Sequence, residues 1–383
     1  MDGLKIEKLT QFWLEDRYNE ALLTELLLSI SLNNKVKGFS ELYSKIPFSI
    51  STPVQIHAQS VELLIQDNNQ IQAYEHLENY KNEMSVWYFY FHALLRFIEG
   101  DVSGCQKKIE PIYHNRELPK SCYLLLARAL YLQGELQTVR QILDEYLDEN
   151  VNSEAYGLYA MCMLDLGDLA AAKASSKIAL QYDASQIDAL IASASCDISD
   201  LQMTAAASKV KRCLEKNKSL GRVWSLAGQI ELYCGNYNDA KDCFDKAIQN
   251  MPNHIGTYHL SAWVSLILND IAQAEVLFNK ALKLNPNFAD SHAGLAIVAL
   301  STGQIDAAQQ LIRKSIRLDP NSFTARYAQS LLLERLGDEQ QATELLESIL
   351  GSKTGIVSGP TYYQLIEKAV KDMNTKMNES HDH

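Results

Sequence analysis

A 34-residue register constrains this chain more than any other feature. From Trp224 the sequence runs through Ala227-Gly228, Gly235, Tyr237, Ala240, Phe244, Ala247 and Pro252. Shifted by 34, the same places hold Tyr258, Ser261-Ala262, Asn269, Ile271, Ala274, Phe278, Ala281 and Pro286. The next shift gives His292, Leu295-Ala296, Gly303, Ile305, Ala308, Ile312, Ser315 and Pro320, and a fourth gives Arg326, Gln329-Ser330, Gly337, Glu339, Ala342, Leu346 and Ile349. Self-similarity at such a period marks stacked supersecondary units, none of which buries its apolar face alone. The residue types explain themselves. Ala240, Phe244 and Ala247 stand at i, i+4 and i+7, one face of a helix. Gly235 and its equivalents suit the left-handed turn between two helices. The Pro falls where the second helix must stop.

The register also runs backwards. Leu190, Ala194, Ala206, Val210 and Cys213 fill the unit near 187, although Leu201 stands where Gly is expected and leaves that turn unexplained. Tyr156, Ala160, Gly167, Ala172 and Ala179 fill the unit near 153; Tyr123, Ala127, Gly134, Val139 and Leu143 fill the one near 120; Phe89, Ala93, Gly100, Cys105 and Ile109 fill the one near 86. A degenerate unit near 54 holds Ala73, Leu77 and Tyr80.

This pattern resembles the tetratricopeptide repeat. The resemblance implies an all-α fold, a right-handed α-solenoid of about eight to nine helical hairpins. Units start near 54, 86, 120, 153, 187, 221, 255, 289 and 323, giving an array over 54–351. Residues 1–53 are expected to be a helical N-terminal region, either outside the repeats or a degenerate repeat itself. Residues 352–383 are expected to hold a loop, a capping helix from Pro360 and a frayed tail. The aromatic run Trp87-Tyr88-Phe89-Tyr90-Phe91 is apolar all round and is expected to be buried under residues 10–50.

In this family the first helix of each hairpin lines a concave groove. Carried onto this sequence, those places hold Trp87, Tyr90, Leu94, Arg128, Tyr131, Met161, Ile191, Gln229, Tyr233, His259, Trp263, Ile297 and Tyr327, the candidate partner-binding residues. Other such places hold Asp165, Ser195, Arg222, Ser225 and Ile267, and the lining as a whole is rich in aromatic and aliphatic groups. Aromatic anchors suit a largely apolar peptide or helix of another protein. The Lys and Asn places of the clamp that binds heat-shock chaperones hold Leu124, Gly157, Ser225 and His259, so that clamp is not expected. The reading is a scaffold, adaptor or chaperone-like assembly factor, of the kind found in bacterial secretion, pilus or envelope assembly. The alternative is a regulatory sensor responding to a small peptide signal.

Composition supports binding over chemistry. Charge is −12, which disfavours nucleic acid and anionic membranes. No stretch of about 18 apolar residues suggests a membrane span. The seven Cys are odd in number and lack paired spacing, as expected of reduced thiols in a cytoplasmic chain. Gly351-Ser352-Lys353-Thr354-Gly355 lacks the upstream glycine and the strand of a phosphate-binding loop, and His381-Asp382-His383 sits at a terminus. No cofactor, metal or catalytic residue is expected.

Overall fold

The structure is a computed structural model, described over residues 2–33, 36–115, 119–149 and 152–350. The expected capping helix, the 351–355 loop and the terminal histidines lie outside those residues. Among the described residues every element is a helix. The first three are α1 (Asp2–Glu15), α2 (Glu20–Leu32) and α3 (Phe39–Tyr43). Then come α4 (Val54–Gln66), α5 (Gln70–Asn79), α6 (Lys81–Met84), α7 (Val86–Ile98), α8 (Val102–Ile109), α9 (Ser121–Leu132) and α10 (Leu136–Glu149). The next hairpins pair α11 (Ser153–Asp165) with α12 (Leu169–Tyr182), α13 (Ile187–Ser199) with α14 (Met203–Lys216), and α15 (Gly221–Tyr233) with α16 (Tyr237–Asn250). The last are α17 (Ile255–Ile267) with α18 (Ile271–Leu284), α19 (Ala289–Ser301) with α20 (Ile305–Leu318), and α21 (Phe323–Arg335) with α22 (Glu339–Leu350).

Every hairpin turn uses one left-handed residue. Positive φ occurs at Asn68, Gly100, Gly134, Gly167, Leu201, Gly235, Asn269, Gly303 and Gly337, the same place in each unit. The turn at Leu201 therefore forms without glycine, at φ 59. A non-glycine residue there costs roughly 1–2 kcal/mol. That turn carries an extra tie between its two helices, the ammonium of Lys209 on α14 bonding the buried carboxylate of Asp197 on α13. Asp168 and Asp270 cap the helices that follow their turns, accepting the N–H of Ala171 and Gln273.

The chain divides into two compact units, Met1–Val151 and Asn152–His383. The division falls inside the expected array and not at residue 53. One apolar cluster explains this: it runs from Leu9 and Trp13 on α1 through Leu64 and Leu77 to Phe91 and Leu95 on α7, so α1–α3 share their core with the first hairpins. Four residues of the aromatic run join it: Tyr88 and Phe91 are buried, and Trp87 and Tyr90 pack against the cluster, whereas Phe89, expected to be buried with them, is exposed.

In the second unit each hairpin packs on the next, α13 against α11 and α12, and α19 against α17 and α18. Small residues set the spacing. A Cβ on Gly228 would lie 2.7 Å from the Phe244 ring, and one on Gly294 would lie 2.3 Å from the Phe278 ring. Both rings are fully buried, so Phe244 and Phe278 fill the space that the glycines leave.

Candidate functional site

Of the thirteen candidate residues, Trp87, Tyr90, Leu94, Arg128 and Tyr131 belong to the first unit. Trp87, Tyr90 and Leu94 serve there as partly buried flanks of the N-terminal core. Trp87 stacks on Phe91 with ring centroids 5.9 Å apart, and the Tyr90 hydroxyl lies 3.1 Å from Ser121 Oγ. Arg128 and Tyr131 on α9 are half-buried. The other eight belong to the second unit, which carries the site described below.

Within that unit the first-helix places converge. Asp165 from α11, Ser195 and Ser199 from α13, and Arg222, Ser225 and Gln229 from α15 line one pocket of about 410 Å³, closed by Met251 and His254. Arg222 reaches past α13 to grip Asp165 with two parallel bonds, Nη1 to Oδ2 at 3.1 Å and Nη2 to Oδ1 at 2.6 Å. Such a bidentate pair fixes orientation as well as charge. The His254 ring caps α17, its Nδ1 accepting the Thr257 N–H at 3.2 Å. Burial and the neighbouring Arg222 guanidinium hold that imidazole below its ordinary pKa, against the pull of Asp165. This stretch of the first-helix places is polar, set within a lining expected to be largely aromatic and aliphatic.

The next stretch is apolar. Trp263 on α17 meets Tyr327 on α21 with centroids 6.1 Å apart, and Phe323 stacks on Tyr327 at 6.3 Å. Small side chains on the intervening α19, such as Ala293, leave room for this contact, and both rings pack on the cluster that holds Ile297. At the last hairpin Tyr327, Leu331 and Glu334 line a second pocket with Leu346.

Four candidates do not offer an open side chain. Met161, Ile191, His259 and Ile297 are buried, because at their places the adjacent first helix packs over them. His259 bonds Ser291 Oγ at 2.7 Å between the rings of Phe278 and Phe288, and burial lowers its pKa to about 4, with Asp290 opposing. Trp263, Gln229 and Tyr327 are half-buried. Tyr233 and Ile267, at the ends of α15 and α17, are open: 42% and 48% exposed. Tyr233 is nonetheless surrounded by enough protein for desolvation to raise its phenol pKa. Ile267 was legible from its place in the register, as were Arg222 and Asp165. His254 was not, because it precedes the helix whose places the repeat pattern assigns. Among the described residues no group of three or more His, Cys, Asp or Glu could hold a metal ion, and no helix is long and apolar enough to cross a membrane.

Tetratricopeptide repeat family models match residues 121–145, 221–254 and 265–332. No curated protein sequence matches the chain. Among solved structures, a monomeric mutant of IFIT1 with Gppp-AAAA is 13% identical, covers 85% of this chain and 82% of its own, and superposes with a TM-score of 0.53. A tetratricopeptide repeat protein from Parabacteroides merdae is 17% identical over 65% of this chain and 99% of its own, with a TM-score of 0.45. PilF from Pseudomonas aeruginosa is 21% identical over 52% of this chain and 93% of its own, with a TM-score of 0.43. At these identities the likeness is one of fold. The register, the nine left-handed turns and the family matches together make the chain a tetratricopeptide repeat protein, an all-helical scaffold of the type that serves protein–protein interaction.

Proposed function

We propose that the first-helix face of residues 152–350 captures a segment of another protein, by binding and without catalysis. The observation that carries this reading is the aromatic wall made by Trp263 and Tyr327, flanked by the open side chains of Tyr233 and Ile267. Large rings held half-buried on a rigid helical frame are good anchors, since little side-chain entropy remains to be lost on binding. The polar pocket beside them, with the Arg222–Asp165 pair, Gln229 and three serines, supplies hydrogen-bonding groups for a peptide backbone. The partner segment is therefore apolar where it meets α17–α21 and polar where it meets α11–α15. The acidic balance of the chain favours a protein over a nucleic acid as partner. Adaptor or chaperone-like assembly work, as in bacterial secretion, pilus or envelope systems, is the setting this reading fits.

The test is affinity capture from native lysate with the wild-type chain and a Tyr233→Ala, Trp263→Ala double variant. A specific partner should be retained by the wild type and lost at least tenfold by the variant. Equal retention by both would sink the groove reading.

A further inference from the structure

Two imidazoles sit at the centre of the first unit, away from any first-helix groove place. His57 on α4 and His76 on α5 are both fully buried. His57 Nδ1 and His76 Nε2 are 2.9 Å apart, and His76 Nδ1 lies 2.8 Å from the hydroxyl of Tyr43 on α3. Aromatic rings close around them. Phe48 stacks on His57 at 5.4 Å and meets His76 edge-on at 4.6 Å, while Tyr80 stands 4.6 Å and 4.8 Å from the two imidazoles. Helix α3 is tied at its other end by Asp67, whose carboxylate accepts the N–H of Gly38 and of Ser40 at 2.9 Å and the Ser40 hydroxyl at 2.6 Å. Those bonds outweigh burial and hold Asp67 below the usual carboxylate pKa.

One direction of this chain leaves both rings neutral and lets the Tyr43 hydroxyl donate. Tyr43 donates to His76 Nδ1, and His76 Nε2–H donates to His57 Nδ1. The remaining proton of His57 is then on Nε2, which is buried without a hydrogen-bond partner. The Ser49 carbonyl faces this ring and favours a proton on it. Both imidazoles are neutral in this arrangement, and a further proton disturbs it. A proton on His57 Nδ1 sets two N–H groups against each other across 2.9 Å unless His76 turns to its other tautomer, which costs it the bond that Tyr43 donates. A proton on His76 Nδ1 would turn the Tyr43 hydroxyl around and leave an imidazolium buried among rings. The other titratable groups facing the pair are Glu83 near His57, Glu75 near Tyr43 and the Tyr80 phenol.

We propose that the Tyr43–His76–His57 chain is a proton-operated latch: neutral, it holds α3 and the 44–53 loop on the α4–α5 hairpin, and a single added proton releases them. Release would uncover Phe39 and Ile46, which are buried when the latch is closed. The direction follows from linkage. Burial, and then the proximity of His57, lowers His76 to about 3. Burial also lowers His57, with Glu83 and the Ser49 carbonyl opposing. Once released, the same imidazoles titrate near an ordinary value of about 6.5. The open form therefore binds more protons between those values. The closed form is fully favoured above about pH 6.5 and loses ground as pH falls toward 3, by up to about tenfold per pH unit for each proton taken up.

The test uses the full chain with Trp224→Phe and Trp263→Phe, so that Trp13 and Trp87, both packed in the first unit, are the only reporters. Their emission should shift to longer wavelength cooperatively between pH 6.5 and 3. His57→Phe, which keeps a ring between Phe48 and Tyr80, should move the midpoint down by at least one pH unit. Tyr43→Phe removes only the donor to His76 Nδ1 and should move the midpoint up. Unchanged midpoints in both variants would overturn the latch, as carboxylates would then drive the transition. Should His57→Phe not fold at pH 7.5, the Tyr43→Phe shift decides alone, upward in support and absent in refutation.

Discussion

The two units of this protein solve the same packing problem by different means. In residues 152–350 the core repeats a large residue of the second helix against small residues of first helices: Phe244 meets Gly228 within one hairpin, and Phe278 meets Gly294 of the next. A small residue recurs at the place of Gly228, as Ala160, Ala194, Ala262 and Ala296, and a large apolar one recurs at the place of Phe244, as Val210, Phe278 and Ile312, so each interface resembles the next. From Leu9 to Leu95, in the first unit, the core is one irregular cluster of large side chains, with Trp13, Leu26, Leu27 and Leu64 fully buried, and polar rings are buried there as well. His57, His76 and His92 are all buried there, and each is held below the ordinary imidazole pKa by burial. A periodic interface is specified by a few positions and tolerates few changes at them. An irregular core spreads its specification over many side chains and hydrogen bonds, which leaves room for a titratable device.

The largest effect should come from emptying one periodic contact. Phe278→Ala should cost about 3–5 kcal/mol, the range for deleting a fully buried ring, read from chemical denaturation followed by circular dichroism. A cost under about 1 kcal/mol would mean that the hairpins reclose around the gap and would blur the contrast between the units. Adding one methyl at the same contact should cost less. Gly294→Ala forces a Cβ to 2.3 Å from the Phe278 ring and should destabilise by about 1–3 kcal/mol.

The second unit also holds titrating contacts, and the one at His259 sharpens the comparison. His259 has its pKa lowered to about 4 by burial. Its contribution is complete above about pH 6.5 and is lost as pH falls toward 4, by at most about 1.4 kcal/mol per pH unit. In His259→Gln, which keeps a polar group toward Ser291, the thermal midpoint of this unit should vary less between pH 6.5 and 4.5 than in the wild type. The smallest effect should be a gain. Leu201→Gly relieves the left-handed strain at the one turn lacking Gly or Asn, offset by the greater freedom of glycine when unfolded, and should stabilise by about 0.5–1 kcal/mol. A loss of stability instead would show that the Leu201 side chain, and not the Lys209–Asp197 tie alone, holds that turn.

The sequence by itself determined the repeat and therefore the fold of residues 152–350, because a hairpin with its apolar face at fixed places can bury that face only against a copy of itself. Ala240, Phe244 and Ala247 announce their packing through spacing alone. The left-handed turns were legible at Gly235, Gly303 and Gly337, and also at Asn269, since those residue types suit that backbone. What the sequence left open was decided by contacts between residues far apart in the chain. The Arg222–Asp165 grip joins side chains separated by 57 positions, and the buried state of Met161, Ile191 and Ile297 depends on how tightly neighbouring first helices pack. The course of α1–α3 and the meeting of Tyr43, His76 and His57 likewise follow no period. They are fixed by the shape of one aperiodic core, and only the tertiary structure could bring those three side chains together.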